Sequence, residues 1–402
     1  MGNIFKLIAA VVIAVPSCSA MDGNPLPGRT RASTSGEIRP AVPVPPGKRT
    51  WISAVEFPEE YDWYRDTAFG SVNFNIVLYS GDERILSLSS EKVTDLSPDP
   101  DSHRIVGGSL YTDFCRQGET VILKDGEPFL QYKGEESLTG FILRKGKVHT
   151  LGKSRSGKGF TYRINGDPAF MSFSGEIIGE LHSDGDDICF GFRLGGEVVK
   201  EYMLCRNGTP ESVPMPYNCS SITDIKSIGG SVATLGIMGS WSVYRLTLGD
   251  GRSFTFGGSH PPGYSPTGGR IIGTANGKIW VTGDYHSGNG DRLYFLWMEG
   301  ASSNITWMDS GSQVLSSGTD GETVFLAGND SQTGSPFIYA APKGEKTSPG
   351  KGKFLFPSCC SVLDGSVLAG FSTPGLRENF IWRDGSLEEM EFNGYISCVR
   401  EE

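Results

Sequence analysis

From residue 51 onward one unit recurs. An apolar strand runs into a short polar turn containing Gly, then out into a second strand. The examples in order are FNIVLYSGDERILSLS, TVILKDGEPFLQYKG, FTYRINGDPAFMSFSG, EYMLCRNGTPESVPM, VYRLTLGDGRSFTFGG, YFLWMEGASSNITWM, FIYAAPKGEKTSPGKGKFLF and FIWRDGSLEEMEFNG. Their turn glycines are Gly81, Gly126, Gly166, Gly208, Gly251, Gly300, Gly344 and Gly385, spaced 40 to 49 residues apart. Asn-Gly and Asp-Gly suit such turns, because a type I′ hairpin needs positive φ at both central residues. Upstream of each lies a second hairpin, such as FILRKGKVHTLG in the third unit and RIIGTANGKIWVTG in the sixth. Each period therefore supplies four short antiparallel strands, here lettered a to d, with the turn glycine between c and d. That period and strand count are those of a β-propeller blade. The reading is an all-β propeller of eight blades, with seven as the competing count. NGYISCVREE, at the C-terminus, has the pattern of an a strand with no successor, and the first unit, from TWISAVEF, lacks an a strand. The C-terminal strand is therefore expected to pair with the N-terminal blade and close the ring, removing two sheet edges.

Composition agrees. The 402 residues include 55 Gly and 23 Pro, and aromatics are 11% of the chain against 20% charged residues, which suits many short strands joined by tight turns. A disordered chain would lack the aromatic and β-branched residues. The net charge of -10 and the absence of a basic stripe exclude nucleic acid as an expected partner.

One stretch imitates a nucleotide site. Gly152, four residues, Gly157 and Lys158 give G-x-x-x-x-G-K. A phosphate loop needs Ser or Thr after the Lys, and a helix whose N-terminus faces the phosphates. Residue 159 is Gly, and FTYRI follows as a strand. The stretch reads as the b–c turn of the third blade, and no nucleotide is expected.

Other chemistry is sparse. The five His residues have no metal-ligand spacing, so no metal and no cofactor are expected. GDYHSGNGDR, in the b–c connection of the sixth blade, clusters Asp284, Tyr285 and His286 and is the binding candidate, although it fits no calcium-loop pattern. HSDGDD at 182–187 reads as an acidic turn and SPDPDSH at 97–103 as an irregular loop. No C-x-x-C occurs; Cys189 and Cys205 flank a b–c turn symmetrically and could bridge across that hairpin, with buried, unbridged thiols as the default. Trp297 and Trp382 sit on c strands, three residues before their turn glycines, as blade-packing residues. No G-x-S-x-G elbow is present, so catalytic residues are not identified.

The N-terminus carries a cellular address. Lys6, an apolar run from Leu7 to Val15 and the small residues that follow have the layout of an export signal too short to span a bilayer. Val15-Pro16-Ser17-Cys18 resembles the lipobox of bacterial lipoproteins, which implies lipidation at Cys18; Pro16 is the departure from that pattern, and cleavage after Ala20 is the alternative. Residues 19–50 are rich in Pro, Gly, Ser and Arg and read as an extended tether. The layout is then a signal peptide over 1–18, a tether over 19–50 and a propeller over 51–402. Cys18, the tether and the diverged Gly-rich units together resemble the β-propeller lipoproteins of Gram-negative envelopes. That resemblance implies an outer-membrane or periplasm-facing protein, held to the membrane by its lipid only; the chain is expected to be a monomer. Its expected role is to bind a protein or glycan partner through the propeller's loop faces. A propeller-type carbohydrate-active hydrolase or lyase is the alternative.

Overall fold

A computed structural model describes residues 49–401 except 62–71, 94, 156–158, 196–200, 240–241, 259, 261, 303–305, 309–311, 331–335, 349–355, 364–365, 373–377 and 384–385. Every described residue belongs to one compact unit. Cys18, the tether through residue 48, Lys158 and Gly385 lie outside the described residues.

Eight small antiparallel sheets follow one another along the chain, and together they form an eight-bladed β-propeller. The second blade shows the plan, with strands His103–Val106, Ser109–Arg116, Glu119–Lys124 and Glu127–Lys133 in spatial order. The turn chemistry read from sequence is present. Asn165 and Gly166 have φ of 53° and 87°, and Asn207 and Gly208 have 50° and 91°. These are left-handed conformations that Asn and Gly adopt at least cost. The Asn side chain adds a clamp. Asn207 Oδ1 accepts the Ile188 N–H at 2.9 Å, while the Asn207 N–H donates to Ile188 O. Asn165 does the same to Val148, and Asp125 to Leu110.

The ring closes as the sequence indicates. Strand Gly394–Glu401 pairs antiparallel with Thr50–Glu56, which continues to Asn75–Ser80 and Glu83–Ser89. The first blade therefore takes its a strand from the far end of the chain.

The hydrophobic core is not one mass. It divides into eight clusters, one at each junction between neighbouring blades. Strand alternation explains this, because successive side chains leave opposite faces of a sheet. Val324 and Leu326 pack toward the sixth blade, whereas Phe325 and Ala327 pack toward the eighth. Trp297 stacks on Phe256 of the fifth blade with ring centroids 4.1 Å apart, and Trp382 packs against the seventh. Both Trp residues thus pack between blades, as their repeated position suggested.

The same alternation rules out the Cys189–Cys205 bridge. Cys189 pairs with Arg206 and Cys205 with Phe190, one register step apart. The two thiols leave opposite faces, one toward the fifth blade and one toward the third, and both are free.

Candidate functional site

The innermost strands of the first, third and fifth blades share a device that the sequence reading missed. Where strand a meets strand b, one residue of strand a bulges out of register, and its hydroxyl turns back onto strand b. Thr139 Oγ1 donates to Leu151 O at 3.1 Å, Thr223 Oγ1 to Leu235 O at 3.2 Å, and Ser397 Oγ to Ser53 O at 3.1 Å. A bulge leaves one residue unpaired and weakens the ladder locally; the hydroxyl supplies a replacement donor.

The fourth blade departs from this pattern. Its inner strand is split into Glu176–Ile177 and His182–Asp184. Ile177 pairs with Phe192 and His182 with Cys189, so four residues, 178–181, face only Phe190 and Gly191. The stretch Ile178-Gly179-Glu180-Leu181 has no Ser or Thr, and the N–H groups of Ile178 and Gly179 both converge on Gly191 O at 3.0 Å. The expanded bulge is pinned on both sides. Leu181 packs where Gly140 of the third blade has no side chain; a Cβ there would lie 2.5 Å from Leu181 Cβ. Gly179 presses on the fifth blade, where a Cβ would lie 2.6 Å from Ile225 O.

Below the bulge, HSDGDD is a clasp and not only a polar turn. His182 Nδ1 donates to Glu180 O at 2.9 Å, and its Nε2 accepts the Ser227 N–H at 3.1 Å. With one nitrogen donating and the other accepting, this imidazole is neutral, in keeping with burial holding its pKa below the usual value. Asp184 accepts from Ser227 Oγ and from the N–H groups of Gly229 and Gly230. Burial opposes its ionisation, but these hydrogen bonds outweigh it and hold the carboxyl below its ordinary range.

The bulge forms one wall of a cavity of about 260 Å³ in the middle of the ring. Thr139, Leu151 and Lys153 of the third blade face it, as do Asp224 of the fifth and Gly269 and Arg270 of the sixth. Glu180, from the bulge, forms an ion pair with Arg270, reaching from the fourth blade to the sixth. Asp224 is 5% exposed. Its Oδ2 accepts the Ile271 N–H at 2.7 Å; its Oδ1 has no hydrogen-bond partner among the described residues and lies beside Gly179. Burial pushes this carboxyl up to about 7, with the Ile271 N–H and the Lys226 charge pulling the other way.

The sequence candidates fall elsewhere. Asp284, Tyr285 and His286 lie on strand Lys278–Ser287, not in the connection after it. Alternation then separates them. Tyr285 is fully buried and donates to Gly257 O, whereas His286 is exposed. Asp284 is half-buried and accepts from Thr267 Oγ1 at 2.7 Å. The phosphate-loop mimic does span a b–c turn, between Lys147–Ser154 and Phe160–Ile164. Residues 97–103 contain a short 3₁₀ turn, Pro100–Ser102, capped by Asp99. Among the described residues no group of three or more His, Cys, Asp or Glu side chains is placed to hold a metal. Asp224, Glu180 and Arg270 were not singled out from sequence. The available signal was charge within inner strands, in ITDIKSI and GGRII, where neighbouring residues are apolar or small.

No family model matches the chain, and no curated protein matches it by sequence. Solved structures do resemble it. The β-propeller domain of the Trilobed protease from Pyrococcus furiosus is 14% identical, with a TM-score of 0.43, over 64% of this chain and 85% of that one. The Pyrococcus horikoshii acylaminoacyl peptidase is 14% identical at TM-score 0.39, and the match spans 64% of this chain but only 46% of that enzyme. Dihydro-heme d1 dehydrogenase NirN is 11% identical at TM-score 0.48, over 88% of this chain and 74% of that one. The likeness is one of fold.

Proposed function

We propose that this chain is a binding module of the cell envelope, anchored through a lipid on Cys18, which takes its partner at the cavity in the middle of the ring. The observation that carries this reading is the departure of the fourth blade from the bulge pattern of its neighbours. The extra residues of its inner strand open a recess where four blades converge, and a buried carboxyl faces it. Ligand sites of propellers and other closed folds are concave, with a few polar groups set in an apolar wall. A protein or a glycan is the partner class.

Two experiments test this reading. Cys18→Ala should move the protein from the membrane fraction to the soluble fraction; retention in the membrane would remove the anchoring half. Ile178→Trp fills the cavity from the bulge side. Binding of isolated envelope glycan and protein fractions to the full chain should drop in that variant, and unchanged binding would place the site elsewhere.

A hydrolase or lyase reading draws support from the same carboxyl. Asp224, pushed up to about 7, holds a proton near neutral pH, as a general acid requires. Against it stands His182, whose two ring nitrogens are both engaged with backbone. Turnover of oligosaccharides by wild type and its loss in Asp224→Asn would favour this reading over binding alone.

A further inference from the structure

We propose that the cavity takes a single neutral, polyhydroxylated ring, one sugar residue of a glycan. This rests on the cavity being the binding site and adds the chemistry of what enters it.

Charge is the first argument. The lining carries two carboxyls, Asp224 and Glu180, and two cations, Lys153 and Arg270. Glu180 and Arg270 neutralise each other as an ion pair, and one carboxyl and one cation remain, so the charge of the lining selects neither a cation nor an anion.

Hydrogen bonding is the second. Asp224 lines the cavity, and its Oδ1 has no hydrogen-bond partner among the described residues. Ionised, that oxygen takes a hydrogen bond from the occupant; protonated, it donates one to the occupant. Lys153 and Arg270 have only donors to offer, so in either state the occupant must accept. A hydroxyl does both from one atom, and neighbouring hydroxyls on a ring do so side by side. An amide separates donor from acceptor.

Shape is the third. A volume of about 260 Å³ suits one sugar ring with its hydroxyls. Leu151, Ile177, Ile178 and Leu181 supply an apolar wall for the ring's C–H face.

The surroundings extend the argument. Phe173 is 81% exposed and Tyr217 is 76% exposed. They stand on the two d–a connections that lead into the inner strands of the fourth and fifth blades, and therefore on one face of the ring. Large aromatics so exposed are rare without a partner, and sugar rings stack on such side chains.

The test is calorimetric titration of the full chain, in detergent, with methyl glycosides of glucose, galactose, mannose and N-acetylglucosamine. Propylammonium, acetate and trialanine are titrated in parallel. At least one glycoside should bind, and the three other probes should not. Asp224→Asn retains an acceptor for the Ile271 N–H but presents an NH₂ to the cavity, so it should weaken that glycoside about tenfold or more. Lys153→Ala, an exposed position whose change leaves the core untouched, should weaken it several-fold. Tyr217→Ala should weaken a longer oligosaccharide of the same sugar without affecting the methyl glycoside. If propylammonium, acetate or trialanine binds in an Asp224-dependent way and no glycoside does, the sugar inference is overturned while the cavity remains a binding site. If no probe of any class binds, the sugar inference is overturned, and the binding-site reading stands or falls on the envelope fractions and Ile178→Trp. Glycoside binding that is indifferent to both Asp224→Asn and Lys153→Ala would also overturn the inference.

Discussion

Thr223 Oγ1 donates to Leu235 O across the a–b step of the fifth blade, at 3.2 Å, from the residue that the ladder leaves out of register. Thr139 and Ser397 occupy the same place in the third and first blades. The hydroxyl restores a bond that the bulge gives up. Thr223→Val, which keeps the shape and removes the donor, should cost about 1 kcal/mol in urea unfolding, whereas Thr223→Ser should stay close to wild type. Equal stability of Thr223→Val and wild type would show the bond to be incidental.

Asp224 should make stability fall as pH rises. Its folded pKa, about 7, lies above the ordinary carboxyl value, so between roughly pH 4 and pH 7 the folded chain holds a proton that the unfolded chain has released. This contribution is fully present below the unfolded pKa and is lost as pH rises through about 7, at up to about 1.4 kcal/mol per pH unit. Asp224→Asn removes it. The stability difference, variant minus wild type, should therefore grow from pH 5 to pH 8 in denaturant titrations. Parallel curves would show that Asp224 ionises normally.

Arg163 and Glu136 form a buried pair, 7% and 5% exposed, at a separation of 2.8 Å. The guanidinium also donates to Gly166 O and Lys133 O and lies 4.4 Å from the centre of the Tyr132 ring. Such a pair is weak evidence of net stability, but breaking it on one side is costly. Arg163→Met should lose about 3–5 kcal/mol, and Arg163→Met combined with Glu136→Leu should recover part of that loss. A double variant as damaged as the sum of its parts would mean that the backbone contacts of Arg163, not the charge pair, dominate.

Ring closure depends on the last strand. Ile396 and Val399 pack with Ile52 on one side of the seam and with Leu368 and Ile381 of the eighth blade on the other. Ile396→Ala should cost about 2–5 kcal/mol. Truncation after residue 393 exposes the Thr50–Glu56 edge and opens one of the eight junctions, so the protein should unfold at markedly lower urea or aggregate. An unchanged midpoint would mean that the first blade stands without its borrowed strand.

Much of the fold was open to reading because its determinants are local. Asn207-Gly208 turns by its own backbone preference, and the alternation in VFLAGN assigns Val324 and Phe325 to opposite junctions without reference to distant residues. The borrowed strand was legible for the same reason, since GYISCVRE has strand character and no hairpin partner of its own. The site was not. Asp284, Tyr285 and His286 look like a polar cluster when written in a line, but strand alternation sends Tyr285 into the core and leaves His286 in solvent. Cys189 and Cys205 look symmetric about a turn, yet one step of register places them on opposite faces.

The sequence by itself determined the repeat and the four-stranded blade, which rest on periodicity and turn chemistry within some forty residues; it narrowed the blade count to eight or seven and indicated the closing strand by leaving it without a hairpin partner. Only the tertiary structure decided where the candidate site lies. Its lining is drawn from four blades, from Thr139 to Arg270, and its shape depends on two residues more than the opposite strand can pair with in the fourth blade. Whether a stretch such as Ile178-Gly179-Glu180-Leu181 pairs or bulges is settled by what Gly140 and Ile225 leave room for on either side, and how strongly Asp224 holds its proton by how completely neighbouring blades exclude water from it.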